Sequence, residues 1–260
     1  MTPPRPLTID PTRVLRVLLG TIAVLLVLSL IGQYARFGLG HGRLLGFVPE
    51  FDVDGENNIP TYVATVLLLG ASGLLALIAA HVRAAGGAFQ RHWWGLAVLF
   101  AYLSVDEMAS LHERLADLPF LPETTGLLHY QWVILGIPLV ALFAFTYLRF
   151  FWHLPRRWKG LFVGAAVLYV GGAIGVEMLA GRYASLYGEL HMGHALLVTA
   201  EEACELLGVA LFVYALLDYL GAHGGALRVR FGPQAEGEPG TADGSNASTA
   251  APVLTPEAGP

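Results

Sequence analysis

Three carboxylates lie within five residues of an otherwise apolar stretch near the end of the chain. The sequence Ala200-Glu201-Glu202-Ala203-Cys204-Glu205 stands inside a segment, 190–220, that is long and apolar enough to cross a bilayer. A carboxylate at bilayer depth costs about 3 kcal/mol on insertion scales. Such groups are retained where they bind ions, carry protons or pair with other polar groups. This hexapeptide is therefore the strongest functional signal in the sequence.

Carboxylates occur at a similar height in two other predicted spans. At 1.5 Å per residue from the basic end of each span, Asp106 and Glu205 lie about 20 Å up and Glu177 lies about 25 Å up. Glu107 and Glu113 lie in the same span as Asp106. Because the hydrocarbon core of a bilayer is about 30 Å thick, these groups form one band beneath one membrane surface.

Helical periodicity predicts that the acidic side chains of this band face the interior of the bundle. At 100° per residue, Asp106, Ser110 and Glu113 fall within about 60° of one another, whereas His112 points away from that face if the helix continues. Gly171-x-x-x-Gly175 predicts close helix packing just below the band. On the last span, an arc of about 100° holds the side chains of His191, His194, Glu201, Glu202 and Glu205 if the helix begins by 191.

The excess of negative charge in the band predicts either a bound cation or protonated carboxyl groups. Only Arg114 and Arg182 lie near its seven acidic residues. Carboxylates with imidazole suit Zn, Fe or Mn. A proton or ion path and a purely structural polar cluster are the alternatives. The candidate catalytic residues are Asp106, Glu107 and Ser110, and the candidate metal ligands are Glu113, Glu177, Glu201, Glu202, Glu205, His191 and His194.

Composition places the chain among polytopic membrane proteins. Of its 260 residues, 55% are hydrophobic and 13% are charged, and the mean hydropathy is +0.58. Soluble domains have about 25% charged residues. No basic face is present that would favour a nucleic-acid partner, so the predicted partners are the lipid bilayer and a lipid or small-molecule ligand.

The predicted fold is an all-α bundle of six membrane-spanning helices over residues 13–220. Residues 1–12 and the cytoplasmic tail 221–260 are predicted to be disordered. Asn58 and Pro60 predict the start of the second span, because asparagine caps a helix and proline fits its first turn. The spans are expected at about 14–33, 60–80, 93–115, 130–151, 161–180 and 190–220.

Basic residues predict the orientation of the bundle. Short loops rich in arginine and lysine stay in the cytoplasm, and the connections 81–91 and 149–159 are the basic ones. Both termini are therefore expected inside, and the carboxylate band is expected near the outer, periplasmic face of a bacterial inner membrane. Trp93 and Trp94 are expected at a membrane interface.

An acidic loop precedes the second span. Asp52-Val53-Asp54-Gly55-Glu56-Asn57 resembles the opening of a calcium loop, but the sixth position of an EF-hand is glycine and the twelfth is glutamate. Here those positions hold Asn57 and Val63. The loop is expected to be solvated, unless it folds over the carboxylate band as a lid.

Two segments resemble a family of bacterial multi-pass, six-helix membrane proteins to which no activity is assigned: 51–61 (Phe-Asp-Val-Asp-Gly-Glu-Asn-Asn-Ile-Pro-Thr) and 104–113 (Ser-Val-Asp-Glu-Met-Ala-Ser-Leu-His-Glu). A more distant analogy links Asp106, Ser110 and the histidines to the alkaline ceramidases and progestin/adiponectin receptors. Those membrane hydrolases hold zinc through histidines near one membrane face. The chain departs from them in its six predicted helices, its His-x-x-His spacing and its many glutamates.

The first functional expectation is a metal-dependent membrane enzyme that acts on a lipid-like substrate. A metal ion lowers the pKa of a bound water molecule, and spare carboxylates then serve as general acid or base. The second expectation is an ion- or proton-coupled transporter, and the third is a structural or assembly protein without catalysis. The inner part of each span carries few polar residues, which disfavours the transporter.

Overall fold

The computed structural model describes residues 9–117, 119, 121–122 and 124–223. This part of the chain is helical and contains no strand. The segments that were predicted to be disordered, 1–12 and 221–260, lie outside the described residues except at their inner ends. There, Pro11 already begins the first helix and His223 ends the last one.

The described residues form eight α-helices joined by short turns. In chain order they are α1 (Pro11–Phe37), α2 (Phe47–Phe51), α3 (Ile59–Ala84), α4 (Gln90–Ala109), α5 (Val133–His153), α6 (Arg156–Val170), α7 (Glu177–Tyr187) and α8 (Met192–His223). Short 3-10 helices lie at Leu44–Gly46, Glu113–Asp117 and Gly126–Leu128. A π-helical turn, Gly171–Val176, joins α6 to α7, so that 156–187 is one continuous helix of 32 residues.

Five of these helices are long and apolar enough to cross a membrane: α1, α3, α5, α6 with α7, and α8. The prediction of an all-α membrane protein is confirmed at this level. The remaining predicted span corresponds to α4, which has 20 residues and packs along α3. Asp106 and Glu107 make α4 less apolar than the other five.

The start of α3 follows the predicted signal. The Asn58 side chain accepts a hydrogen bond from the Thr61 amide at 3.1 Å, and Pro60 lies in the first turn of the helix. An N-cap of this kind contributes about 1 kcal/mol. The prediction from Asn58 and Pro60 is therefore confirmed.

The predicted end of the third span was wrong. The sequence predicted a helix to residue 115, but α4 ends at Ala109 because Ser110 adopts a left-handed backbone conformation with φ of 47°. The chain turns there and continues into the 3-10 helix Glu113–Asp117. Angles calculated for a continuous helix consequently fail for every residue after 109.

The close contact between α8 and the helix before it depends on two glycines that the sequence analysis did not select. A Cβ atom on Gly172 would lie 2.8 Å from the Glu201 carbonyl oxygen, and one on Gly208 would lie 2.7 Å from the Tyr169 amide nitrogen. By contrast, no atom lies within 4 Å of a Cβ built on Gly171 or Gly175. The predicted role of Gly171-x-x-x-Gly175 in close packing was wrong, because both residues face away from α8.

Aromatic and aliphatic side chains fill the half of the bundle that contains the connections 81–91 and 149–159. Trp93 is 2% exposed, and its ring centroid lies 4.9 Å from that of Phe150 and 5.1 Å from that of Tyr219. Trp93 belongs to this core, whereas its neighbour Trp94 is 41% exposed; the expectation that they lie at a membrane interface stays a prediction. The polar cavity lies in the opposite half.

Candidate functional site

A cavity of about 660 Å³ occupies the end of the bundle opposite the aromatic core. It lies where α1 and α4 end and where α3, α5 and α8 begin, and α7 forms a further wall. These helix ends meet because neighbouring long helices run in opposite directions. Eleven acidic residues line the cavity: Asp52, Asp54, Glu56, Asp106, Glu107, Glu113, Glu177, Glu189, Glu201, Glu202 and Glu205.

The structure brings eight of the ten predicted site residues to this one cavity: Asp106, Glu107, Glu113, Glu177, His194, Glu201, Glu202 and Glu205. The other two, Ser110 and His191, are not part of its lining. Ser110 is 7% exposed, and its hydroxyl has no hydrogen-bond partner among the described residues. His191 precedes α8, and its Nδ1 atom lies 3.5 Å from the Tyr183 hydroxyl.

Asp106 holds His112 through two hydrogen bonds. The His112 amide donates to Oδ1 at 2.8 Å, and ring atom Nδ1 lies 2.9 Å from Oδ2. The left-handed turn at Ser110 makes this possible, because it folds His112 back over the last turn of α4. The expectation that His112 points away from the carboxylates was therefore wrong. An aspartate that binds one ring nitrogen fixes the tautomer of the imidazole and leaves the other nitrogen for a ligand or a proton.

Glu177 and Glu201 bring two carboxylates together across the cavity. Both side chains line the cavity, where the charge of each carboxylate acts on the other, and Trp132 donates to Glu177 Oε1 through Nε1 at 3.1 Å. Glu201 is 7% exposed, and no donor group among the described residues reaches its carboxylate. Two ionised carboxylates in this position repel each other, so the pair needs a shared proton or a cation.

Glu202 and Glu205 extend the acidic row one turn further along α8. Together with Glu107 and Tyr169 they line the large cavity and also a second, small one of about 10 Å³. A cavity of that size holds about one water molecule. Apolar side chains, including Leu206 and Val209, close the small cavity on its far side.

The acidic loop 52–58 borders the cavity and is tied to the bundle by hydrogen bonds. Asn58 organises it: Nδ2 donates to the carbonyl oxygens of Asp52 at 2.6 Å and Pro49 at 3.2 Å. The Val53 amide donates to Ser29 Oγ of α1 at 3.2 Å. Asp52, Asp54 and Glu56 consequently belong to the cavity lining. Because Asp54, Glu56 and Asn57 are also exposed, the loop both borders the cavity and remains solvated, and each of the two alternatives is met in part.

A second histidine lies on the opposite wall. His194 is 4% exposed, and its Nε2 atom lies 2.9 Å from the Tyr130 hydroxyl. His129 Nε2 lies 3.6 Å from a Glu189 oxygen at the same rim. These contacts join the segment before α5 to the start of α8, so the rim is fixed by polar pairs from two parts of the chain.

The crowding of acidic groups at the rim alters their proton affinities. Desolvation by the cavity walls, followed by repulsion from Asp52 and Glu113, raises the pKa of Asp54 to about 6, although its side chain is accessible from the cavity. Desolvation and the Glu113 carboxylate likewise raise the pKa of Glu56. Burial lowers the pKa of His112, but the hydrogen bond and charge of Asp106 outweigh it, so that the net pKa is raised. A positive charge at the rim is thus favoured.

The acidic side chains are spread around the cavity. Among the described residues, no group of three or more His, Cys, Asp or Glu side chains is arranged so that it could hold a metal ion. Glu177 and Glu201, from α7 and α8, are acidic residues whose charges interact across the cavity. A metal ion held by this pair would need further ligands from the cavity lining.

Several lining residues were not predicted from the sequence. His112 follows α4, whose end was misplaced, and Glu189 precedes α8. Tyr130 and Trp132 precede α5 and were not selected as site residues. For the loop residues Asp52, Asp54 and Glu56 a signal existed, because the loop immediately precedes a well-capped helix and so must start beside the end of the bundle.

Comparison with known proteins gives a family without an assigned function. No curated protein and no solved structure matches the chain. One family model matches residues 18–220, which span α1 to α8 and include the whole acidic cavity. The chain belongs to this family, described as "Domain of unknown function (DUF8692)".

Proposed function

We propose that the protein is a metal-dependent membrane enzyme that binds a divalent cation in the acidic cavity and acts on a lipid-like substrate. The observation that supports this most directly is the carboxylate pair Glu177 and Glu201. Each belongs to a different helix, both line the cavity, and one of them has no donor among the described residues. A divalent cation between them would replace their repulsion by attraction.

The chemistry of the donors favours Zn, Fe or Mn. Carboxylate oxygen and imidazole nitrogen are ligands that these ions accept. Catalytic zinc sites have three protein ligands and one position open to water, so the pair Glu177 and Glu201 would need one further ligand from the cavity lining. When bound, such an ion supplies an activated water molecule as a nucleophile.

Residues beside the pair would move the protons. His112 is oriented by Asp106 and lines the cavity, so its second ring nitrogen is a candidate general base or ligand. Glu107 lies deeper and also lines the cavity. With groups of this kind on two sides, one could accept a proton from water while another donates one to a leaving group.

The position of the cavity favours a membrane-resident substrate. We place α4 in the membrane as the sixth span, because it lies along α3 and has the length to cross most of the hydrocarbon layer. With the basic connections and both termini in the cytoplasm, the cavity would open toward the outer face of a bacterial plasma membrane. Leu103, Val140 and Ile174 supply apolar surface in its wall.

A second candidate function is ion- or proton-coupled transport. The small cavity beside Glu107, Glu202 and Glu205 supports it, because it extends the acidic row beyond the main cavity. The packed core below opposes it: Phe100 and Phe212 stack at 4.8 Å there, and Leu216 is fully buried. Transport would require this core to open, whereas an enzyme would not.

Metal analysis of the purified protein tests the first function. Wild-type protein, Glu201→Gln and Glu177→Gln would be loaded with Zn²⁺ or Mn²⁺ in neutral detergent, desalted and measured by elemental analysis. Glu50→Gln is the matched control, because Glu50 is exposed and lies outside the cavity. We expect about one ion in wild type and control and much less in the two variants. Equal metal content in all four would refute the proposal. Proton uptake by liposomes that contain the protein would instead support transport.

A further inference from the structure

The distribution of charge in the same cavity indicates its organic ligand. We propose that the substrate carries an ammonium group, which the carboxylates at the rim bind. This inference rests on the proposed function for the reaction itself, but recognition of the ammonium group also depends on rim residues outside the carboxylate pair.

The cavity has far more acidic groups than one divalent ion needs. Beyond Glu177 and Glu201, nine further acidic residues line it. The basic lining residues are already engaged: Arg36 lies 3.5 Å from Asp52, His112 is bonded to Asp106, and His194 contacts the Tyr130 hydroxyl. An anionic ligand such as a phosphate headgroup would meet uncompensated repulsion here, whereas an ammonium group would be attracted.

The arrangement of the carboxylates suits an extended cation better than several metal ions. In the described part of the chain the acidic groups do not converge on a point, and they surround a space of about 660 Å³. That volume lies within the range of about 300–1,000 Å³ found for small-molecule sites. Glu201, buried and without a donor, points into this space. An organic ammonium ion offers several N–H donors that reach different carboxylates.

Aromatic rings add a second kind of surface that attracts cations. Trp132, Tyr130 and Tyr169 line the same cavity. Their ring faces attract cations within about 6 Å, by roughly 0.5–2 kcal/mol. Apolar lining residues such as Val140 and Ile174 can accept a hydrocarbon chain attached to the ammonium group. The shared ligand chemistry is therefore an ammonium group, carried either by a long-chain amine from the membrane or by a soluble polyamine.

Binding measurements with three probes test the inference. The full chain in neutral detergent would be titrated with dodecylamine, with dodecanol as the uncharged ligand of equal length, and with spermidine. We expect at least one amine to bind and dodecanol to bind at least tenfold more weakly than dodecylamine or not at all. Binding of dodecylamine alone identifies a membrane amine, and binding of spermidine alone identifies a soluble one. No binding of either amine, or equal binding of dodecylamine and dodecanol, would overturn the inference.

Variants of the rim separate this inference from the proposed function. Asp54→Asn and Glu189→Gln each remove one charge outside the carboxylate pair, and each should weaken amine binding about two- to fivefold, as is typical of exposed ion pairs. Glu50→Gln should leave it unchanged. Both rim variants should keep the wild-type Zn²⁺ content. If the rim variants keep both the wild-type metal content and the wild-type amine affinity, this inference is refuted and the proposed function is not. If the wild-type protein binds no metal, the proposed function is refuted.

Discussion

Gly172 offers a sharp test of how the acidic row is positioned. A Cβ atom there would lie 2.8 Å from the Glu201 carbonyl oxygen, 3.0 Å from Cys204 Cβ and 3.1 Å from Glu205 Cγ. One of these neighbours is backbone and cannot rotate away. Gly172→Ala must therefore push α8 from the π-helical turn at the height of the carboxylates.

The magnitude follows from two opposing effects. Overpacking of a well-packed interior costs about 1–3 kcal/mol, whereas replacing glycine by alanine within a helix gains about 1 kcal/mol. Gly171→Ala and Gly175→Ala should gain helix stability without the cost of overpacking, because no atom lies within 4 Å of a Cβ at either position. Gly172→Ala should therefore be about 1–3 kcal/mol less stable than these two controls.

Thermal denaturation in detergent measures this difference. One kcal/mol shifts the midpoint by about 2–4 °C in a domain of this size, so Gly172→Ala should melt about 2–12 °C below Gly171→Ala. Its metal and amine binding should also weaken, since Glu201 and Glu205 move with α8. If Gly172→Ala melts at or above the temperature of both controls, the close approach of α8 at this residue is refuted.

Three further predictions follow from polar contacts. Asn58→Ala should destabilise the protein by about 2–3 kcal/mol in chemical denaturation, through loss of the α3 cap and of two loop hydrogen bonds, while Asn57→Gly, at a φ of 56°, should be nearly neutral. Because the pKa of Asp54 is raised to about 6, the folded protein holds a proton on Asp54 between about pH 4 and 6 that the unfolded chain releases. The stability of wild type relative to Asp54→Asn should therefore fall as pH rises through that window. A stability difference that does not change with pH would contradict this. Asp106→Asn should weaken Zn²⁺ binding about 10–100-fold, if His112 is a ligand that it orients, and an unchanged affinity would exclude that role.

The sequence predicted the helical bundle because its signals are local and strong. Long apolar segments and the cap at Asn58 depend only on neighbouring residues, and the starts of the long helices fall within five residues of their predicted positions. Depth and angle also predicted which helices share the acidic band. That calculation worked for Glu201 and Glu205, because both lie inside the regular helix α8, and its depth estimate also held for Glu177, which directly follows the π-helical turn.

The errors occur where the chain leaves a regular helix. Nothing in Ala109-Ser110-Leu111 is a strong helix stop, since glycine and proline are absent. The left-handed conformation of Ser110 accompanies the two bonds from His112 to Asp106, a pairing over six residues that helical periodicity does not anticipate. Similarly, Gly171 and Gly172 begin a π-helical turn, in which the directions of the side chains differ from those of an α-helix. Periodicity of an α-helix therefore could not show which of the two glycines packs against α8.

These irregular points are also where the acidic groups come together. The π-helical turn lies immediately before Glu177, the left-handed turn follows Glu107 by three residues, and the Asn58-organised loop carries Asp54. A regular six-helix bundle would point one narrow face of each helix inward and leave its loops in solvent. Two of the departures instead supply groups that periodicity alone had turned away or left in solvent: the left-handed turn brings His112 to Asp106, and the loop brings Asp54 and Glu56 to the cavity. Because local distortion costs free energy and is typically retained at functional sites, their concentration around one cavity is an argument for function that does not depend on the identity of the ligand.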